Sequence, residues 1–177
     1  MPNAESPKPA GDDYRDPLEN YEPKQYADAL ERALAEETVA AIQSRPYVSV
    51  SPETSIEEVL TKLVDLNIAC VLVEDGGKLV GVFSERDALN KVALEYELVK
   101  KRPVREFMSS SPIFVYSTDS SAAALSVMAA TGYRHVPVVD LNQKIVGIVG
   151  PQRVTAFLQS HLQVASTSDP CCGGAGE

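Results

Sequence analysis

The sequence predicts an α/β (α+β) fold made of two copies of one unit, each of which reads strand, helix, strand, strand, helix. The first observation is an internal repeat, because residues 38–42 match residues 103–107 at a spacing of 65 residues. The second is a pair of apolar runs in each copy, IACVLVED with KLVGVF and YRHVPVVD with KIVGIV, separated by a polar turn. The third is size, because 177 residues, 44% of them hydrophobic, suffice to bury an ordinary core.

The segments outside the repeat differ from it in composition. The start of the chain is rich in Pro, Asp, Glu and Asn and predicts a disordered lead-in, and the Gly-rich end predicts a flexible tail. Between the lead-in and the repeat, good helix formers predict an amphipathic helix with one apolar face, formed by Tyr26, Leu30, Ala33 and Leu34. The predicted organisation is a lead-in at 1–22, a helix at 23–37, a first repeat at 38–101, a second repeat at 102–165 and a tail at 166–177.

Each copy contains two predicted helices. The first helix of each copy begins at an N-cap former, Thr54 or Asp119, and Glu57 would complete a capping box with Thr54. The apolar stripes of these two helices correspond position by position, with Val59, Leu60 and Leu63 matching Ala124, Leu125 and Met128. The closing helix of the second copy begins at about Pro151, a residue that suits a first helical turn.

The charge and the cysteines restrict the class of protein. A net charge of -9 without any Lys/Arg block argues against a nucleic-acid or membrane partner, because both require a basic surface. No stretch approaches a signal peptide or the roughly 18 apolar residues of a membrane span, so we expect a cytoplasmic protein. Cys70 lies in an apolar run and is expected in the core, whereas Cys171 and Cys172 fall in the tail. The spacing predicts neither a disulfide framework nor a metal site.

The repeated motifs resemble those of a known family. The segment GKLVGVFSERD at residues 77–87, preceded by NIACVLVED and followed at the repeat distance by GYRHVPVVDLNQKIVGIV, resembles the cystathionine-β-synthase (CBS) domain in its usual tandem pair. The resemblance covers about residues 38–160 and includes the lead-in VREFMSSSPIFV of the second copy. It implies two CBS repeats packed with pseudo-twofold symmetry around two clefts for adenosine ligands, and a homodimer of such modules.

One of these clefts keeps the residues that the family uses for a nucleotide. The family's S/T-x-x-D signature is present as Ser84 and Asp87, and a carboxylate at a helix start can accept hydrogen bonds from both ribose hydroxyls. Asp87 could instead serve only the first turn of its helix. The resemblance implies phosphate contacts from Arg134 and His135 of the other copy. Arg86, within SERD, is a further candidate for a phosphate contact, or else only an exposed charge on the helix. Alternatively, Arg134 extends to solvent and His135 is simply a half-buried histidine.

The same resemblance assigns the base and the second cleft. It implies a flat apolar slot for adenine formed by Val82, Pro112, Ile113 and Phe114, although all four could equally be core residues. In the second cleft the signature carboxylate is replaced by Arg153, and the basic pair is replaced by Ala69 and Cys70. We therefore expect one nucleotide per chain, and Arg153 could lean toward its phosphates.

The expected function is regulatory. The sequence contains no nucleophile with a base, no metal set and no phosphate-cradling glycine loop, so we expect no enzyme. The resemblance implies a free-standing module that binds AMP, ADP or ATP, requires no cofactor and acts on a target protein that the sequence does not identify. Two alternatives stay open, a ligand-free dimerisation or scaffold module and a module that binds S-adenosylmethionine.

Overall fold

The computed structural model describes residues 24–44 and 46–165, with the backbone alone for residues 163–165. The helices are α1 (Ala29–Glu36), α2 (Ile56–Asp65), α3 (Glu85–Asp87), α4 (Tyr96–Val99), α5 (Ser121–Thr131) and α6 (Pro151–Ala165). The strands are β1 (Gln43–Ser44), β2 (Ser49–Val50), β3 (Cys70–Asp75), β4 (Lys78–Ser84), β5 (Ser109–Ser110), β6 (Val115–Tyr116), β7 (Val136–Val139) and β8 (Ile145–Val149). The predicted lead-in at 1–22, the tail at 166–177, Cys171 and Cys172 lie outside the described residues.

Each half of the molecule is built on a four-stranded sheet. The first sheet has the order β2-β3-β4-β5, and the second has the order β6-β7-β8-β1. In both sheets the first two strands are parallel and the central pair is antiparallel. The predicted sequence of strand, helix, strand, strand, helix is therefore confirmed, as β2-α2-β3-β4-α3 and β6-α5-β7-β8-α6. Among the described helices, none has the length and apolar character needed to cross a membrane.

The two halves exchange the segments that precede their first strands. Strand β1 comes before the first repeat's β2 but pairs with β8 of the second half, and β5 pairs with β4 of the first half. The turns before these strands are exchanged as well: Val39 and Ile42 are buried in the second core, and Val104 and Phe107 are buried in the first. Each half therefore completes the other's core and sheet edge, which fixes the relative position of the two halves.

Helix α1 covers the second half. Its buried Ala33 packs in the core beneath α5 and α6, with Leu30 and Leu34 beside it. The helix is shorter than the predicted 23–37, because the Asp28 side chain accepts a hydrogen bond from the Glu31 N–H at 2.8 Å and so caps the helix at residue 29. Tyr26 consequently lies before the helix.

The predicted helix caps are wrong by one residue. Ser55, not Thr54, caps α2 by accepting a hydrogen bond from the Glu58 N–H at 3.3 Å, because the Thr54 carbonyl accepts from the Val104 N–H in the exchanged contact between repeats. The N-cap of α5 is Ser120, and the Asp119 side chain instead accepts from the Tyr116 N–H at 2.8 Å in the preceding turn. The predicted start of α6 at Pro151 is confirmed.

Candidate functional site

A cavity of about 740 Å³ opens between the two halves. Seven of the nine predicted site residues line it: Val82, Ser84, Arg86, Asp87, Pro112, Arg134 and His135. The residues that distinguish the second predicted cleft, Ala69, Cys70 and Arg153, line the same cavity. The two clefts expected from the sequence are thus parts of one continuous space in the described structure.

Two predicted residues do not line the cavity. Ile113 is not among the residues that line the cavity and is 46% exposed. Phe114 packs edge-on against Tyr116, with the ring centroids 5.6 Å apart. Of the segment predicted to hold the base, only Pro112 reaches the cavity wall, because the chain then turns into β6 and its side chains pack locally.

Asp87 is the most constrained polar residue of the site. The residue is 9% exposed, and its side chain is 12% exposed. Oδ2 accepts hydrogen bonds from the Ser84 N–H at 3.0 Å and from the Ser84 hydroxyl at 2.7 Å. Oδ1 lies 2.7 Å from Lys91 Nζ and accepts from the Ser109 hydroxyl at 3.2 Å. A carboxylate has about four acceptor positions, so the surrounding protein groups occupy all of them.

These contacts define two roles for Asp87. With Ser84 it forms a capping box at the start of α3, so the structural role at the helix start is present. Burial alone would raise the pKa of the Asp87 carboxyl, but hydrogen bonds from Lys91 and Ser84, together with the Lys91 charge, lower it below its ordinary value. Asp87 is therefore ionised at neutral pH and able to act as an acceptor.

Lys91 was not identified from the sequence. It lies one helical turn after Asp87, at the i, i+4 spacing that brings opposite charges together, which is the signal that could have identified it. Its ammonium also donates to the Phe107 carbonyl at 2.7 Å. Phe107 belongs to the exchanged segment before β5, so Lys91 links the Asp87 carboxylate to that segment.

His135 lines the same cavity and comes from the second half. Its imidazole packs against Gly150, where an added Cβ would lie 3.1 Å from Cδ2 and 3.3 Å from Nε2. Gly150 occupies the position equivalent to Ser84, so glycine in place of serine leaves room for the ring. Burial lowers the pKa of His135 below its ordinary value, Glu85 opposes this, and the adjacent Arg134 reinforces it. A bound phosphate would reverse the effect by favouring the charged imidazole.

The predicted basic residues face the cavity differently. Arg134 and Arg86 are exposed, and neither forms an ion pair with any described residue. Their guanidinium groups are thus free to take up an anion from within the cavity. Across the cavity, the prediction that Cys70 is buried is confirmed, and burial raises the pKa of its thiol to about 12. Within residues 24–44 and 46–165, no group of His, Cys, Asp and Glu has an arrangement suited to a metal ion.

Comparison with known proteins identifies the family. The CBS domain model matches the chain twice, at residues 39–94 and 104–160. The chain therefore belongs to the CBS domain family and carries a tandem pair of these domains. Among curated relatives, it is 25% identical over 115 residues to the CBS domain-containing protein CBSCBSPB1 of Arabidopsis thaliana, which covers 64% of this chain. The match spans about a fifth of that relative, 21% of its length.

Two solved structures of similar proteins contain adenosine compounds. The chain is 30% identical to CBSX2, solved in complex with AMP, with a TM-score of 0.60 over 72% of this chain and 98% of that one. It is 26% identical to the CBS domain pair of MJ0100, solved with 5′-methylthioadenosine and S-adenosyl-L-methionine, with a TM-score of 0.60 over 70% of this chain and 96% of that one. These two similar proteins were therefore solved with adenosine compounds bound.

Proposed function

We propose that this chain is a regulatory, non-catalytic module that binds one adenine nucleotide per chain, AMP, ADP or ATP, in the cavity between its two CBS domains. The observation that carries the proposal is the presence, in the lining of one cavity, of an ionised carboxylate at Asp87 and a basic pair at Arg134 and His135 from the other half. A nucleotide presents ribose hydroxyls that donate to a carboxylate and phosphates that accept from cations. Both halves of such a ligand find complementary groups here.

The ribose would bind to Asp87 at the first half. Because Ser84, Ser109 and Lys91 occupy the acceptor positions of this carboxylate, a ribose hydroxyl must displace one of them. Lys91 is the most readily displaced of the three, since its side chain is 40% exposed and its ammonium regains water on release. The adenine ring would then rest on the apolar wall formed by Val82 and Pro112.

Displacement of Lys91 would also couple ligand binding to a change in the conformation of the protein. The Lys91 ammonium donates to the Phe107 carbonyl as well as pairing with Asp87. Phe107 lies in the segment that the second repeat contributes to the first core. Nucleotide binding would therefore change the contacts between the two halves, and a partner that senses those contacts would respond to the ligand.

The expected affinity is moderate. Hydrogen bonds to charged groups contribute about 1.5–3 kcal/mol each, and the exchange of Lys91 for a ribose hydroxyl offsets part of that gain. Association itself costs at least about 4 kcal/mol in lost translational and rotational freedom. The balance corresponds to a dissociation constant on the order of 1 μM to 1 mM, which suits a sensor of metabolite or energy state.

S-adenosylmethionine is the second candidate ligand. It is favoured by one observation, the presence of this compound in the similar MJ0100 structure. Such a ligand has the same ribose for Asp87 but no phosphate for Arg134 and His135. The basic pair therefore favours a nucleotide over S-adenosylmethionine.

A thermal shift panel tests the proposal. AMP, ADP, ATP and S-adenosylmethionine are compared at concentrations far above their dissociation constants, where a bound ligand stabilises by about 2.7 kcal/mol at a hundredfold excess. We expect stabilisation by nucleotides, and its loss in Asp87→Ala and Arg134→Ala. Arg105→Ala serves as the matched control, because Arg105 pairs with Glu53 away from the cavity. If S-adenosylmethionine alone raises the melting temperature, the ligand is S-adenosylmethionine and not a nucleotide. If no compound raises the melting temperature, a ligand-free scaffold is favoured.

We also propose that two copies of the chain pair through the helical surface of the first half that carries Leu94 and Leu98. Leu94 is 98% exposed and Leu98 is 80% exposed. Leu89, which is 71% exposed, belongs to the cavity lining instead. The position equivalent to Leu94 in the second half is polar, Ser160. Light scattering of the protein should report a dimer, and Leu94→Lys combined with Leu98→Lys should yield a monomer. A dimer that survives both substitutions would contradict this pairing.

A further inference from the structure

The arginines of the described residues divide into two groups. Arg32, Arg102 and Arg105 lie outside the cavity, and each forms an ion pair, with Glu36, Glu106 and Glu53 respectively. Arg86, Arg134 and Arg153 line the cavity, and none of these three forms an ion pair with a described residue. The absence of ion pairs therefore coincides with position on the cavity wall.

The charge of the cavity lining is the opposite of that of the protein as a whole. The chain carries a net charge of -9, yet the described residues of the lining include three arginines and two acids, Glu85 and Asp87. Asp87 is already paired with Lys91, which leaves Glu85 as the acid without an ion pair among these lining residues. Three cations that share one cavity repel one another more than a single carboxylate offsets, and an anion bound among them reduces that repulsion.

The three arginines come from separate parts of the wall. Arg86 follows Ser84 at the start of α3, Arg134 precedes β7, and Arg153 lies in the first turn of α6. By the internal repeat, Arg153 occupies the position that Asp87 has in the first half, so it lies at the far end of the cavity from the proposed ribose contact. The Arg153 N–H donates to the Gly150 carbonyl at 3.1 Å, and Gly150 contacts the His135 ring. The start of α6, where Arg153 lies, is therefore beside the basic pair of Arg134 and His135.

We infer that the ligand of this cavity carries a chain of phosphates, as a nucleoside triphosphate does, and that Arg153 binds the terminal part of that chain. The inference rests on the proposed function and narrows it. A single phosphate held at Arg134 and His135 leaves Arg153 without an anion, whereas a longer chain continues from that pair toward α6. The replacement of the carboxylate by Arg153 thus converts the second ribose position into a phosphate position.

Titration calorimetry with AMP, ADP and ATP tests the inference on the full chain and on Arg153→Gln. We expect the unmodified protein to bind ATP at least about tenfold more tightly than AMP, the equivalent of one additional charge-assisted contact. Arg153→Gln should lose this advantage and bind AMP with nearly unchanged affinity. Arg153→Lys, which keeps the charge, should restore part of it, and Arg105→Gln should behave as the unmodified protein does.

Three outcomes would overturn the inference. Equal affinities for AMP and ATP in the unmodified protein refute it and leave the proposed function standing. Equal weakening of AMP and ATP binding by Arg153→Gln also refutes it, because Arg153 would then act on a part that both ligands share. Absence of binding by all three nucleotides refutes both proposals together. Unfolding of each variant without ligand confirms that it is folded, which the exposure of Arg153 leads us to expect.

Discussion

Replacing Lys91 by methionine separates the two roles of Asp87. Methionine keeps the apolar stem of the lysine and removes the ammonium that lies 2.7 Å from Asp87 Oδ1 and donates to the Phe107 carbonyl. If Asp87 serves only the helix start, the substitution destabilises the protein and changes nothing else. If Asp87 also binds ribose, the substitution frees an acceptor position that the ligand would otherwise have to clear.

The magnitudes follow from the geometry of the pair. A hydrogen bond to a charged group contributes about 1.5–3 kcal/mol when buried, and the 40% exposure of Lys91 reduces this toward the range of about 0–1 kcal/mol for surface pairs. We therefore expect Lys91→Met to lower the free energy of unfolding by about 1–2 kcal/mol. The cost of displacing Lys91 disappears at the same time, so ribose binding should tighten by up to about tenfold.

Titration calorimetry of Lys91→Met with adenosine and with AMP measures this effect. Adenosine is included because it lacks the phosphate, whose attraction to the lost lysine charge would oppose the gain. Lys100→Met is the matched control, since Lys100 pairs with Glu97 on the surface away from the cavity. Adenosine affinity that is unchanged or weaker in Lys91→Met would refute competition between Lys91 and ribose at Asp87.

Three further predictions concern the cavity wall. Gly150→Ala would place a Cβ 3.1 Å from the His135 ring and so push that side chain off its rotamer, which costs about 0.5–1.5 kcal/mol. AMP binding measured by calorimetry should therefore weaken by up to about tenfold. Unchanged affinity would exclude His135 from the site. Because burial lowers the pKa of His135 and a phosphate favours its charged form, AMP binding should take up a proton at His135. As the pH falls, AMP affinity should therefore rise relative to that of His135→Asn, which corrects for protonation of the phosphate itself at about pH 6; parallel pH profiles for the two proteins would contradict this. Burial raises the pKa of the Cys70 thiol to about 12. Iodoacetamide at about pH 8 should therefore modify Cys70 only after unfolding, as measured by mass spectrometry of the peptide that contains it. Rapid modification of Cys70 in the folded protein would contradict its burial.

The fold could be predicted because the chain contains an internal repeat, so that each half of the sequence can be compared with the other. Apolar runs that recur at a constant spacing identify strands and helices even where a single run would be ambiguous. The exact helix starts could not be predicted, because Thr54 and Ser55 are both suitable caps and the choice is made by the distant Val104, whose N–H binds the Thr54 carbonyl. The exchange of β1 and β5 between halves was equally hidden, since two-residue strands carry no periodicity.

The site was predicted as far as its motifs are local. The stretch from Ser84 to Asp87 is contiguous, and Arg134 stands out by its charge beside an apolar strand, so both could be read from the sequence. Phe114 could not be placed, because an aromatic residue before a strand suits a cavity wall and a surface pair with Tyr116 equally well. The continuity of the two clefts also required coordinates, since it depends on how the halves pack.

The number of nucleotides bound per chain shows whether one or both halves of the cavity hold a ligand. Calorimetric titration of ATP and AMP into the protein, with the concentration of folded chains determined independently, should give one site per chain, and Asp87→Ala should abolish it while Arg105→Ala leaves it intact. One nucleotide per chain is expected because only the first half has a carboxylate at the ribose position, where the second half has Arg153. Two nucleotides per chain, or one nucleotide bound with unchanged affinity in Asp87→Ala, would contradict it.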